Sequence, residues 1–253
     1  MNILIVCVNY DDLLAISLPT VRREFPSART AVITTFEDEA TLGIATAAGV
    51  TAYRTGAFHR GGAAFNKAAA LNDYVRWQRE WGLAADPNGW TMTLDADIAL
   101  PRGFGDVVRA EMTDPACLYG ASRLMCPDLR TWREGPPFLR VPDPPQLPGF
   151  LHGFWAPGLV EPWYDATVEH AGAYDTFFQS GWPRECRRRF SVPVTHLGPL
   201  GQNWFGRRTE RWDGRQLAPP PGAEALFRRH EEQRRQRVPV EDRKRARPGE
   251  VLA

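Results

Sequence analysis

The sequence predicts an α/β protein built on a mainly parallel sheet with helices on both faces. Three observations carry that expectation. The opening "ILIVCVNY" (3–10) is a short continuous apolar run, the mark of a strand covered on both sides. Strand-like and helix-like segments then alternate through the first hundred residues, the order that a parallel sheet requires. The last of these segments, "WTMTLDADIALP" (90–101), runs from a buried strand into Asp95 and Asp97 and closes on a proline. Ligands in open α/β sheets gather at such strand ends.

Taken in order, "LLAISLPTVRREF" has helical spacing, with a break or kink expected at Pro19. "RTAVITTF" (29–36) is β-branched and predicts a second strand. "DEATLGIATAAG" predicts a short helix stopped by Gly49, and "VTAYRT" a third strand. "AAFNKAAALNDYVRWQREWG" is rich in alanine and predicts the strongest helix, ended by Gly82. "DPNG" turns the chain into the strand that carries Asp95 and Asp97. Beyond residue 101, "CLYGASRLM" (117–125) predicts one further strand. Seven prolines between 127 and 148 then exclude a regular helix or a central strand from that stretch. "EHAGAYDTFFQSGW" predicts a helix with its approach, "SVPVTHLG" a short strand and "GQNWFGRR" a loop. From about residue 217, "APPPG" and an Arg/Glu-rich segment predict a linker and an exposed tail.

Composition narrows the function classes. At 43% hydrophobic and 24% charged, the 253 residues match a soluble globular protein, and no apolar segment approaches the ~20 residues of a membrane span. "MNILIVCV" lacks a basic leader and a small-residue cleavage site, so it is expected to be a strand and not a signal peptide. The four cysteines form no CxxC pair, which argues against a zinc or disulfide framework and fits a reducing cytoplasm. Charge is uneven: residues from Arg184 onward hold 17 Arg/Lys against 9 Asp/Glu, and the rest hold 14 against 21. A basic last third can attract phosphates, nucleic acid or an anionic surface.

Asp95 and Asp97 stand two apart in extended chain, so both carboxylates point to one side. Two hard anionic oxygens suit Mg²⁺ or Mn²⁺, with phosphate oxygens and water completing the shell. Asp-x-Asp alone also fits a solvated strand-end turn. The context is more specific. "FNKAAALNDYVRWQ…GWTMTLDADIALP", the "VNY" that ends the first strand, and the acidic pair Glu37–Asp38 after the second together resemble GT-A fold glycosyltransferases of the family-2-like, DxD-containing kind. The resemblance covers residues 1–125, with fainter echoes to about 208.

That resemblance implies a Rossmann-like GT-A catalytic domain over 1–216, a nucleotide-sugar half (1–101), an acceptor half (102–216) with a Pro-rich loop at 127–149, and a basic tail at 217–253. It implies that Asn9 and Tyr10 line the nucleotide pocket, that Glu37 or Asp38 meets the base or ribose, and that Asn66 and Lys67 face the donor. Asp95 would touch the ribose or a metal-bound water, Asp97 would be the main ligand of Mn²⁺ or Mg²⁺, and His196 in "THLG" would complete the metal shell. Imidazole suits Mn²⁺ better than Mg²⁺. Gly198 and Gly201 would let a loop close over phosphate, with Arg207 or Arg208 as its clamp. Asp175 in "GAYDTFF" would be the general base of an inverting transfer, although an acid at a helix start equally fits an N-cap. Family members commonly carry Glu-Asp there, where this chain has Tyr174–Asp175.

The expected donor is a nucleotide-diphosphate sugar, with UDP as its nucleotide. The basic tail, the Arg184–Arg189 cluster and Trp155, Trp163, Trp182 and Trp204 permit a hydroxylated base in DNA as acceptor, as in the DNA-modifying glycosyltransferases of phages. A polysaccharide or a lipid-linked acceptor is the other reading. A nucleotidyltransferase is disfavoured because no Gly-rich loop follows the first strand, where Asp11 and Asp12 would repel a triphosphate. The missing GxGxxG disfavours a dinucleotide oxidoreductase. A non-catalytic sugar-nucleotide binder on the same fold remains as the third class. Oligomeric state has no signature in the sequence.

Overall fold

Both faces of the first strand are buried, and the rest of the architecture is arranged around it. In the computed structural model, which describes residues 1–63, 65–81, 89–159, 161–167, 174–198, 211–215 and 228, β1 (Asn2–Val6) pairs in parallel with β2 (Arg29–Thr34) and with β4 (Trp90–Asp95). Ile3 and Ile5 join one core cluster with Leu14, Leu18 and Val21 of α1 (Asp11–Glu24) and with Ala45 of α2 (Glu39–Ala47). Leu4 and Val6 point the other way, into a cluster with Ala68, Ala70, Leu71 and Tyr74 of α3 (Lys67–Glu80). This alternation is what a strand with a helix layer on each side must show.

The main sheet has seven strands in the order β10-β6-β9-β4-β1-β2-β3, with β3 at Thr51–Arg54, β6 at Leu118–Gly120, β9 at Leu151–Trp155 and β10 at Arg187–Arg189. It is parallel except at β9, which runs antiparallel between β4 and β6. A second sheet, ordered β5-β11-β7-β8, is built from Ile98–Ala99, Val194–Leu197, Arg123–Cys126 and Leu139–Arg140. Helix α4 (Phe104–Glu111) buries Phe104 and Val108 against the first cluster, and α6 (Tyr174–Gln179) buries Phe177 and Phe178 in the second.

Several expectations are corrected. Pro19 does not break α1, which runs unbroken over 14 residues. Pro19 and Ala15 both lie on the exposed side, so the carbonyl that loses its partner faces water, and the Thr20 hydroxyl donates to the Ser17 carbonyl at 2.6 Å. The segment 117–125 is two strands, because the chain leaves the main sheet at Gly120 and enters the small one at Arg123. The Pro-rich stretch does hold a helix, α5 (Leu129–Glu134). It is capped by Asp128, whose side chain accepts from Thr131 N, and it ends before the paired prolines begin. Strands β9 and β10 were not anticipated. Gly82 and the residues from 216 onward, apart from 228, lie outside the described residues, as does the "GQNWFGRR" loop.

A strap from the C-terminal side closes over the start of α1. The Arg211 guanidinium donates to both Asp11 oxygens at 2.6 Å and to Asp213, while Trp212 N donates to Asp12 at 2.7 Å and Arg215 also reaches Asp11. The Asp11 and Arg211 side chains are each only 3% exposed. The Asp11 charge is therefore matched inside the protein, which offsets part of the phosphate repulsion expected from Asp11 and Asp12. Burial alone would raise the Asp11 pKa, but the Arg211 hydrogen bonds outweigh it and hold the carboxyl below its ordinary range. Hydrogen bonds from Arg211 also hold Asp213 low.

Removing one partner of a buried ion pair strands the other, so Arg211→Ala is expected to cost about 3–5 kcal/mol in urea unfolding. Because the folded pKa values of Asp11 and Asp213 are depressed, the strap's contribution is full above the unfolded carboxylate range. It is lost as pH falls below about 4, so the stability gap between wild type and Arg211→Ala should narrow in acid.

Candidate functional site

Strand register brings the acidic residues to one rim. Val6 is level with both Ile33 and Asp95, so the carboxyl ends of β2, β1 and β4 finish together. Just past that rim, Asn9 has φ +60°, the one positive φ at a non-glycine among the described residues. Its N–H donates to Asp38 Oδ2 at 2.7 Å. Asp38 is itself the N-cap of α2, accepting from Thr41 N at 3.1 Å, Thr41 Oγ1 at 2.8 Å and Thr34 Oγ1 at 3.1 Å. Both its oxygens are engaged, and the residue is buried. Asp38 therefore fixes the backbone of the pocket, and Glu37, which is exposed beside the exposed Phe36, is the acid that faces outward. Tyr10 begins α1 and packs partly into the core.

Helix α3 brings its first residue to the end of β4. Asn66 caps the helix through Oδ1, which accepts from Ala69 N at 2.8 Å, and its Nδ2 donates to the Ala166 carbonyl at 2.7 Å. An Asn cap of this kind is worth about 1 kcal/mol, so Asn66 has a structural task whatever else it meets. Lys67 is 3% exposed and forms an ion pair with Asp95. Its ammonium also lies 3.3 Å from the Gly149 carbonyl. Gly149 has no room for a side chain: a Cβ there would collide with the Asp175 carboxylate. The Phe150 carbonyl accepts from Asp95 N at 3.0 Å, which fixes this turn against the end of β4.

The second sheet delivers the imidazole. β11 pairs antiparallel with β5, placing His196 opposite Ile98, and Leu197 N donates to the Asp97 carbonyl at 2.8 Å. His196 Nε2 then stands 3.6 Å from Asp97 Oδ2, with both residues buried. Asp97 Oδ1 and His196 Nδ1 have no hydrogen-bond partner among the described residues. Burial, and next the proximity of His196 and Asp95, governs the Asp97 carboxyl, and its pKa is raised.

A buried carboxylate with one oxygen lacking a donor among the described residues and the other beside an imidazole nitrogen is a fitting start for a divalent cation. Two ligands at right angles about 2.1 Å from one ion lie roughly 3 Å apart, so a small closure of the pair would suffice. The pair supplies two donors only. Among the described residues no three His, Cys, Asp or Glu side chains group to hold a metal, and Asp95 is paired with Lys67. The remaining ligands would come from phosphate and water, the usual case for a hard cation. A carboxylate–imidazole set favours Mn²⁺ over Mg²⁺.

Asp95 and Asp175 flank one phenol. Tyr164 Oη lies 3.2 Å from Thr93 Oγ1, and its ring stacks on Phe178 with centroids 4.1 Å apart. Burial first, and then the charges of Asp175 and Asp95, raise the Tyr164 phenol above its ordinary pKa. Beneath them His152 is fully buried on β9, and neither ring nitrogen has a partner among the described residues. Burial, then the Lys67 charge, pushes its pKa down to about 3, so it is neutral. No motif marks His152, Tyr164 or Gly149 in the sequence; only the fold collects them here.

The structure thus brings Lys67, Asp95, Asp97, His196 and Asp175 together, with Asn9, Tyr10, Glu37 and Asp38 along the adjoining rim. Arg207, Arg208, Gly201 and Trp204 lie outside the described residues. Trp163 and Trp182 pack with Phe154 and Trp155 packs with Trp90, so these partly buried tryptophans are engaged in packing within the protein. The arginines of β10 are occupied as well: Arg187 donates to the Trp182 carbonyl, Arg188 to Asp114, and Arg189 to the Pro144 and Gln146 carbonyls.

No protein-family model matches the sequence, and no curated protein matches it. Among solved structures, the chain is similar to a mannosyltransferase from Pyrobaculum calidifontis in complex with GDP-Man and Mn²⁺, with a TM-score of 0.52 and 17% identity over 89% of this chain and 67% of that one. A galactosyltransferase, LgtC, in complex with donor and acceptor sugar analogues aligns over 95% of this chain and 98% of its own, at TM-score 0.43 and 13% identity. A 4-diphosphocytidyl-2C-methyl-D-erythritol synthase aligns over 89% and 97%, at 0.44 and 15%. The fold is the expected one: a mixed α/β GT-A architecture on a mainly parallel seven-stranded sheet.

Asp38 holds both a strained Asn9 and a helix cap, so Asp38→Ala is expected to lower stability by about 2 kcal/mol in urea unfolding. Asp38→Asn keeps a cap and should cost less than half of that.

Proposed function

We propose that the protein is a metal-dependent glycosyltransferase that moves a sugar from a nucleotide-diphosphate donor to an acceptor hydroxyl, inverting the anomeric centre. The observation that carries this reading is the convergence of Lys67, Asp95, Asp97, His196 and Asp175 around Gly149 at the carboxyl rim of a parallel sheet. The fold likeness to a sugar-nucleotide transferase supports it. So does the buried Asp97–His196 pair, whose Asp97 Oδ1 has no hydrogen-bond partner among the described residues and suits a cation.

In this reading the nucleoside lies along the β1–β2 rim, held by Asn9 and Tyr10, with Glu37 toward the ribose. Asp97 and His196 would hold Mn²⁺, whose chemistry would be to offset the charge of the departing diphosphate. Asp95 takes the ribose side once donor phosphates compete for Lys67, and the Lys67 ammonium offsets phosphate charge. Asp175 accepts the proton of the acceptor hydroxyl as that oxygen attacks the anomeric carbon. The Gly149 contact sets the height of the Asp175 carboxylate above the cleft, and Tyr164 with neutral His152 forms a dry floor below it. Uridine diphosphate is the first nucleotide to test. As acceptor, a hydroxylated base in DNA draws its support from the positive charge of residues 217–253, since the β10 arginines are engaged within the protein. A polysaccharide or lipid-linked acceptor needs no such charge.

Thermal shift against a panel of nucleoside diphosphates, with and without Mn²⁺, tests the reading. One nucleotide at a hundredfold excess over its dissociation constant should stabilise the protein by about 2.7 kcal/mol, in the presence of metal only. Asp97→Ala should fold and lose that response; stabilisation by nucleotide that survives chelation would defeat the assignment.

For the transfer itself, Asp175→Asn should lower kcat by about 10²–10⁴ and leave donor affinity within about twofold. Following the anomeric proton by NMR would show whether configuration inverts.

A further inference from the structure

Arg123 has no role in the chemistry described so far, and its setting is unusual. It lies on β7, level with Val194 of β11, and its guanidinium sits half-buried over the Phe150 ring at 5.4 Å from the centroid. The same ring meets the His196 imidazole edge-on at 6.4 Å. Phe150 therefore stands between the guanidinium and the imidazole that faces Asp97. Among the described residues Arg123 makes no hydrogen bond and no ion pair; Asp97 and Asp143 are felt only as charges at longer range. A guanidinium held by a ring keeps its planar set of N–H donors available, and those donors match an oxyanion. Partial burial makes an unmatched cation costly, so the position favours a ligand that brings negative charge.

We propose that Arg123 forms an anion subsite that receives a phosphate or carboxylate carried by the acceptor. The inference rests on the glycosyltransferase reading for the word acceptor, and on the geometry for the anion. Strands β1 and β9 flank β4 on opposite sides. Asn9 and Glu37 stand on the β1 side, where the nucleoside is placed. Phe150 immediately precedes β9 and follows Gly149, which abuts Asp175, so Arg123 and the candidate base share the other side. An acceptor hydroxyl directed at Asp175 can then place a charged substituent on Arg123, and an uncharged acceptor would leave that fork empty.

The experiment is calorimetric titration of inorganic phosphate, with acetate in parallel as the carboxylate probe, into wild type, Arg123→Gln and Arg123→Lys. Each protein is titrated both alone and saturated with Mn²⁺ and the nucleoside diphosphate. The expected result is that one probe binds wild type and weakens at least tenfold in Arg123→Gln, with partial recovery in Arg123→Lys and nucleotide affinity unchanged within twofold. The stronger probe identifies the anion class. Equal binding to wild type and Arg123→Gln, or binding of neither probe to wild type, overturns the subsite. A tenfold loss of nucleotide affinity in Arg123→Gln overturns it too, by assigning the arginine to the donor. Failure of every nucleotide to bind wild type defeats the functional reading instead, while an Arg123-dependent anion in the nucleotide-free arm still supports the subsite.

Discussion

A buried ammonium must meet an anion, and this requirement organises the cleft. Lys67 is carried inward by the first turn of α3 and reaches Asp95 at the end of β4. Coupling those two elements fixes the distance between a helix start and a strand end, and the Gly149 carbonyl also accepts from the ammonium. Leaving the charge unpaired would cost several kcal/mol, so the helix, the strand and the turn before β9 cannot shift independently. Asp97, two residues further on, inherits its position from this arrangement.

Around that pair the fold makes room by leaving atoms out. Gly149 admits the Asp175 carboxylate into the space that a methyl group would fill. At the other end of the molecule, Gly105 lets α4 approach the Glu24 backbone, while its N–H donates to the Glu24 carboxylate at 3.1 Å. The strap at Arg211 acts in the same sense from outside, tying residues 200 positions apart and neutralising the acidic start of α1. The rim beside the start of α1 thus keeps its acidic side chains without presenting a bare negative field.

The first half of the chain was legible because its signals are local. β1, β2 and β3 announce themselves by apolar or β-branched runs, α2 by a short helical run before Gly49, and α3 by its alanine-rich composition. The second half was legible only in part. "LHGFW" carries a glycine and a histidine within a strand, a poor match to strand composition, yet β9 sits between two strands that satisfy its backbone and bury its face. β10 is three arginines, held at an edge by the hydrogen bonds its side chains make to carbonyls and to Asp114. At the site, Asp95, Asp97, Lys67 and His196 could be named from short stretches. That Asp38 also holds Asn9, that Asn66 also reaches the Ala166 carbonyl, and that Arg123 and His152 lie close by, depends on contacts far apart in sequence.

The antiparallel insertion of β9 has a consequence for how the chain reaches this state. Strands β1 to β4 are complete once residue 95 has been made, but the outer edge of β4 stays unpaired until residues 151–155 arrive. More than fifty residues of synthesis separate the two events, and the exposed edge belongs to an apolar strand in the middle of the future sheet. Such an edge is a template for pairing with other chains. The nascent half-sheet is thus the stage at which this protein is most vulnerable to aggregation, and the arrival of β9 both ends that hazard and sets Gly149 beside the cleft.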